Sequence, residues 1–312
     1  MPYRRKRFSG QYLGDRRVAT MTQSGHRPRV GVVFRPDRSP ENLPSTAAAA
    51  QRAGIDELWL WEDCFLQGGI AQAAVALAGS ETLTVGIGVL PAPLRNVVTT
   101  AMEIATLATI YPGRVRVGIG HGVQAWMRQA GAAVPSPLTL LREYHAALRQ
   151  LLSGRSVSTD GRFVRLDGVQ LEWVPPQPVP LLIGGTGPKT LRLAGEIADG
   201  VIIDSVNTPA SARAALGHVA AEQAQRVSSP PFATVQYLAC APGAVGRQLL
   251  DDVAVERGLD AGGYGVSGTV EEIVAATSAY SAQTLVFQPI GPSVDMDGFT
   301  HTVGEVATGL RG

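Results

Sequence analysis

The sequence predicts an α/β fold of the (β/α)₈ TIM-barrel type. Short apolar runs alternate with helical segments from residue 28 to the C-terminus. Eight such runs can be counted. The composition, rich in alanine and with 36 glycines but only 6% aromatic residues, suits close strand–helix packing with many turns. Parallel neighbours need crossover helices, so the alternation implies a parallel sheet. Eight strand–helix units are what a closed barrel requires. The pattern alone leaves a doubly wound open sheet as the alternative.

The first run covers residues 29–34, and an alanine-rich helix over 42–53 ends at Gly54. Strands follow at 57–61, 84–88 and 115–119, with helices over 70–78 and 97–110 between them. The next helix has the clearest bounds. Ser136 suits the N-cap and Pro137 the first helical position. Leu138, Leu141, Tyr144, Leu148 and Leu151 recur at helical spacing, and Gly154 follows the end. A polar, strand-like stretch over 157–171 reads as an inserted hairpin closed by Pro175-Pro176. The last four strands fall at 181–183, 201–203, 233–239 and 285–287. Helices over 188–198, 209–226, 270–279 and 299–310 alternate with them. No charged linker divides the chain, so residues 28–312 read as one domain with an insertion, and the barrel mouth is expected to be built by loops and the insertion near 121–175.

The net charge of +1 is unevenly placed. Residues 1–27 carry seven basic side chains against Asp15, which leaves 20 basic and 25 acidic residues in the remainder. A slightly acidic body argues against nucleic acid as the main partner. The basic segment reads as a disordered leader, with Met21 as an alternative start. It lacks the apolar core of an export signal. No stretch approaches the roughly 18 apolar residues of a membrane span. Cys64 and Cys240 are far apart and without metal spacing, so no metal site and a reducing cytoplasm are expected.

In a barrel the active site lies at the C-terminal ends of the strands. After the fifth strand comes Gly184-Gly185-Thr186-Gly187-Pro188-Lys189, opening a helix. Glycines allow close backbone approach, and a helix N-terminus offers unpaired N–H groups, an arrangement that suits a phosphate. The Gly-Lys-Ser/Thr ending of a Walker A loop is absent. A glycine-rich turn without a ligand is the other reading. The fourth strand ends in Gly118-Ile119-Gly120-His121-Gly122. Small residues there leave space for a flat group, and an imidazole can act as acid or base near neutral pH. His121 could equally hydrogen-bond a loop carbonyl. The second strand ends in Trp61-Glu62-Asp63-Cys64-Phe65. Either carboxylate could act on a substrate or cap the following turn, and their charge disfavours a Cys64 thiolate. Arg95, after the third strand, could serve an anionic ligand or pair with an acid on the rim.

Several ordered segments resemble the luciferase-like family of flavin- and deazaflavin-dependent oxidoreductases. They are Gly54-Ile55-Asp56-Glu57-Leu58-Trp59, the run from Gly86 to Asn96, Ala105-Thr106-Leu107, Pro112-Gly113-Arg114 and Gly118-Ile119-Gly120. The segment from Gly184 to Asp199-Gly200 is similar to the branch that includes methylene-tetrahydromethanopterin reductase. The resemblance spans roughly residues 29–312. It implies a barrel with an insertion and a flavin-type ring at the strand ends. It also implies a bulge with a non-prolyl cis peptide at Gly88-Val89 that supports the ring. The glycine-rich turn, with Gly184, Gly185, Thr186, Gly187 and Lys189, matches the family's phosphate cradle, and Gly118 and Gly120 fall beside the ring. Coenzyme F420 is the cofactor the branch favours, and FMN the alternative.

Two positions depart from the family pattern. Many deazaflavin-dependent relatives have Asp-His after the second strand, where this chain has Asp63-Cys64. Some carry Glu where His121 stands. His121 is therefore the first choice for acid–base work, Asp63 the second, and Glu62 the group that orients them. The expected activity is hydride transfer between F420 and a small organic substrate. The competing activities are an FMN-dependent monooxygenase, an aldolase or isomerase using a Lys189 Schiff base, and a flavin-binding accessory protein. A homodimer is the default assembly.

Overall fold

Eight parallel strands close on themselves in the computed structural model, which describes residues 27–228, 231–259, 263–291 and 294–312. The basic leader expected over residues 1–27 lies outside the described residues except for Arg27. In chain order the first half comprises β1 (Arg29–Val33), α1 (Leu43–Arg52), β2 (Glu57–Leu60), α2 (Gly69–Ala78), β3 (Thr84–Pro91), α3 (Val97–Ile110) and β4 (Val115–Gly120). Next come α4 (Gln124–Gln129), α5 (Pro137–Leu152), β5 (Val157–Asp160), β6 (Arg165–Val169), β7 (Leu181–Gly184), α6 (Pro188–Ile197) and β8 (Gly200–Ile203). The chain ends with α7 (Pro209–Gln223), β9 (Ala233–Pro242), α8 (Gly246–Glu256), β10 (Val266–Gly268), α9 (Val270–Thr277), β11 (Thr284–Pro289) and α10 (Met296–Arg311). The barrel order is β1-β2-β3-β4-β7-β8-β9-β11, and β11 returns to β1 with Thr284 opposite Arg29. This is a (β/α)₈ TIM barrel. β10 is a three-residue strand added to the end of β9.

The strands read as continuous apolar runs because both of their faces are covered. Side chains alternate across a strand. Leu58 and Leu60 of β2 therefore join the outer layer under the helices, and Trp59 points into the barrel. Val33, Trp59, Leu182, Ile202, Val235, Tyr237 and Val286 fill the interior. Glycines stand opposite the largest of them. A side chain on Gly86 would overlap the Trp59 ring, and one on Gly118 would overlap Ile202.

A buried carboxylate closes the N-terminal face. Glu57 is fully buried and shares one oxygen between Arg29 (2.6 Å) and Arg116 (3.2 Å). Its other oxygen accepts from Trp59 Nε1 at 2.8 Å. The ion cluster thus ties β1, β2 and β4 to the central tryptophan.

The structure departs from the sequence reading in three places. β3 continues to Pro91 instead of stopping at Gly88, because its pairing with β4 resumes at Leu90 beyond a bulge. α4 escaped the periodicity because it is only six residues long. The β5–β6 hairpin does not reach the barrel mouth. Its turn is held against α5, where Glu143 accepts the N–H groups of Arg162, Phe163 and Val164 at 2.8–3.0 Å. The stretch around α4 contributes to the mouth instead. Among the described residues no helix is long and apolar enough to cross a membrane.

The Glu57 cluster yields a stability prediction. Glu57→Gln leaves two arginines facing a neutral amide. It should cost about 2 kcal/mol, less than a fully buried pair because Arg29 is partly in water. Urea unfolding should show the lower midpoint; an unchanged midpoint would mean that the cluster contributes nothing net.

Candidate active site

A cavity of about 430 Å³ opens at the C-terminal ends of the strands. Its floor is the bulge in β3. Pairing with β4 runs through Ile87 and resumes at Leu90, and the Gly88–Val89 peptide between them is cis, at the position the resemblance implied. Val89 rests on a bed of glycines. A Cβ on Gly184 would lie 2.5 Å from one Val89 methyl, and a Cβ on Gly120 would lie 2.8 Å from the other. Gly118 lies deeper, below the floor. The glycines thus make room first for Val89, whose side chain gives the cavity floor an apolar surface. Under the bulge, the Tyr237 hydroxyl donates to the Gly88 carbonyl at 3.5 Å. The Tyr237 ring meets Trp59 edge-on at 5.8 Å and Trp61 at 6.2 Å.

The carboxylates after β2 have different surroundings. Glu62 accepts from Arg95 at 3.0 Å and from the Gly69 N–H at 2.7 Å, and Arg95 also pairs with Glu103. Glu62 therefore ties the start of α2 to α3, and Arg95 is engaged by rim acids. Asp63 faces the cavity and accepts from Trp61 Nε1 at 2.8 Å. Burial pushes its carboxyl above the ordinary value, against the opposing Trp61 hydrogen bond, and the nearby Asp204 and Asp37 charges add to the rise. Cys64 also lines the cavity, and burial with the Glu62 and Asp63 charges pushes its thiol up, away from the reactive thiolate. His121 stands across from them with Nδ1 3.0 Å from the Gly122 carbonyl. That contact suits a protonated Nδ1 and leaves Nε2 without a protein partner among the described residues.

The glycine-rich turn brings Gly184, Gly185 and Thr186 to the cavity wall. Gly187 is the N-cap of α6 and Pro188, which has no N–H, its first residue. The Thr186 and Gly187 amides donate to no protein group among the described residues. Lys189 is exposed one residue further and lies outside the cavity lining, as do Gly187 and Gly118. Gly185 is held tight, since a Cβ there would come 2.6 Å from Thr190. Unpaired amides at the start of a ten-residue helix are groups of the kind that can accept an anion.

The sequence reading missed Arg35, Trp126, Asp204, Ser205, Tyr237, Arg257 and Gln288, which also line the cavity. Three of them carried a signal. Val33, Ile202 and Val286 fill the barrel, so Arg35 and Asp204, just past the ends of β1 and β8, and Gln288 within β11, each two residues further on, face the mouth. Arg257 follows α8, where no strand periodicity points to it.

The family described as luciferase-like monooxygenase matches residues 16–282, and the chain belongs to it. It is 30% identical over 210 residues to 5,10-methylenetetrahydromethanopterin reductase of Methanolobus tindarius, covering 67% of this chain and 64% of that protein. The chain thus spans just under two thirds of that relative's length. Among solved structures it resembles an F420-dependent secondary alcohol dehydrogenase in complex with an F420–acetone adduct, with a TM-score of 0.78 at 19% identity over 90% of this chain and 99% of that one. It also resembles the F420-dependent tetrahydromethanopterin reductase of Methanopyrus kandleri, with a TM-score of 0.76 at 21% identity over 89% and 97%. At these identities the structural likeness establishes the fold.

The raised pKa of Asp63 gives a signed prediction. The native state holds the Asp63 proton more tightly than the unfolded chain does. The stability this contributes is present at low pH and is lost as pH rises through the native pKa. Asp63→Asn should therefore stabilise the protein at pH 7 and lose that advantage near pH 3. Thermal melts at the two pH values check the sign, and an equal effect at both would contradict the burial argument.

Proposed function

We propose that this chain is an F420-dependent oxidoreductase that transfers a hydride between the cofactor and a small organic substrate. The observation that carries the reading is an apolar seat, Val89, in the same cavity as the Gly184-Gly185-Thr186 turn, which carries unpaired amides at Thr186 and, just beyond the lining, at Gly187. A planar ring with a phosphate-bearing tail needs both. A cavity of about 430 Å³ lies within the usual range for cofactor and substrate sites. Sequence similarity to F420-dependent dehydrogenases, 31–33% identical over about half of the chain, supports F420 over FMN.

When bound, the deazaflavin supplies the hydride donor and acceptor chemistry. The protein supplies position and proton handling. Val89 and the Gly88 peptide back the ring, and Tyr237 supports that peptide from below. The Thr186 and Gly187 amides hold the phosphate, and Lys189 adds positive charge at the rim. When an alcohol carbon gives up a hydride, its hydroxyl proton passes to Asp63 or to His121 Nε2. In the reverse direction the same group returns the proton to the carbonyl oxygen. Glu62 and Arg95 hold the loop that carries Asp63. FMN-dependent oxygenation is the second reading, because the same seat accepts an isoalloxazine ring.

Gly187→Asp tests the cradle without disturbing the fold. A Cβ at Gly187 meets open space, and its extended N-cap conformation accommodates aspartate, a preferred N-cap residue. The variant should melt at or above the wild-type temperature. Its affinity for F420 should fall by about tenfold or more, since a carboxylate replaces the site of an anion. Parallel titrations of F420 and FMN, followed by tryptophan fluorescence, read the cofactor. Tighter FMN binding would move the chain to the oxygenase reading. An F420 affinity unchanged by Gly187→Asp, or no binding of either cofactor below about 1 mM, would overturn the proposal.

A further inference from the structure

The Val89 seat and the cradle occupy the side of the cavity built by β2, β3, β4 and β7. The facing wall, from the ends of β1, β8 and β11 and the residue after α8, carries polar groups that neither feature uses. Arg257 follows the last residue of α8, lines the cavity at its exposed edge, and donates to no described residue, so its guanidinium is open to a ligand from solvent. Gln288 lies on the inward face of β11, in line with Val286, and is only 6% exposed. Its amide also lines the cavity without a hydrogen bond to any described residue. Arg35, by contrast, is spent: it bonds both Asp37 carboxylate oxygens and the Pro289 carbonyl. The Ser205 hydroxyl donates to Asp204 at 3.2 Å, beside the buried Tyr264 hydroxyl, which also feels the charges of Arg257 and Arg35.

We propose that this wall is the substrate subsite for an organic anion, with Arg257 taking the carboxylate or phosphate and Gln288 an adjacent oxygen. The inference rests on the reading of the cavity as a hydride-transfer site and names the class of its substrate. A guanidinium offers donors in a fixed fork that matches a carboxylate or phosphate, and such charge-assisted bonds are the strong ones. Asp204 stands on the same wall. Its charge disfavours a second negative group, and its free oxygen can accept from a substrate hydroxyl. The wall therefore selects a substrate with one anionic group and a neighbouring hydroxyl or carbonyl. Such a molecule would share the cavity with Asp63, His121 and the Thr186 turn.

The test uses protein saturated with F420, so that the cradle is filled, and titrates glycolate and glycerol 3-phosphate separately. Trp61 and Trp126 line the cavity and report binding by fluorescence. One of the two anions should bind, which also separates the carboxylate from the phosphate. Arg257→Ala should weaken that binding by about tenfold or more, and Gln288→Leu by a smaller factor, with the F420 affinity unchanged. Binding of neither anion would overturn the proposal, as would equal binding to the Arg257→Ala protein. A loss that falls on F420 affinity would assign the arginine to the cofactor and overturn it as well. If F420 itself fails to bind, the same titration on Gly187→Asp protein, with the cradle blocked, still reads the Arg257 wall. The two readings therefore fail separately.

Discussion

Val89 turned into the barrel mouth is the constraint on which the upper half of this structure depends. A side chain can occupy that point only if the neighbouring strands withdraw theirs. Gly118 and Gly120 of β4 and Gly184 of β7 do so. The bulge between Ile87 and Leu90 frees the Gly88 and Val89 positions from pairing with β4, while the Val89 carbonyl accepts from the Glu62 N–H, and Tyr237 fills the space below. None of these features is stable on its own. A Cβ at Gly120 or Gly184 would push Val89 off its seat, and a shorter residue at Tyr237 would leave the Gly88 carbonyl without its donor. Close packing couples such positions, because interiors have little free volume to absorb a shift.

The two ends of the barrel solve opposite problems. The N-terminal end is sealed by Glu57, two arginines and Trp59, with every oxygen of the carboxylate engaged. The C-terminal end leaves groups unengaged: two backbone amides, one imidazole nitrogen, the Gln288 amide and the Arg257 guanidinium. Of the residues that carry them only Gln288 is buried; Thr186 and Arg257 are exposed, so water can satisfy them until a ligand displaces it. The concentration of such groups around one cavity is what separates a binding site from the rest of the surface.

Much of the fold was legible because each strand is a short apolar run bounded by glycine or a charged residue. The glycine turns and the strand ends at Asp63 and His121 were legible for the same reason. Val89 was placed through the family resemblance, since nothing in its local pattern announces an inward-facing bulge. Arg35, Asp204 and Gln288 were within reach of period-two counting from Val33, Ile202 and Val286. They were passed over because each follows its run as an isolated polar residue with no motif around it. Arg257 and α4 were not legible, as their place at the mouth comes from how loops return over the barrel. The same cause misplaced the β5–β6 hairpin, whose position is set by Glu143 on a helix distant in sequence.

The most direct test of this account is a crystal structure with F420 bound. The account predicts the ring stacked on Val89 and phosphate oxygens within about 3 Å of the Thr186 and Gly187 amides, with Arg257 and Gln288 left facing open cavity. A phosphate found on Arg257 instead, with the ring away from Val89, would contradict it.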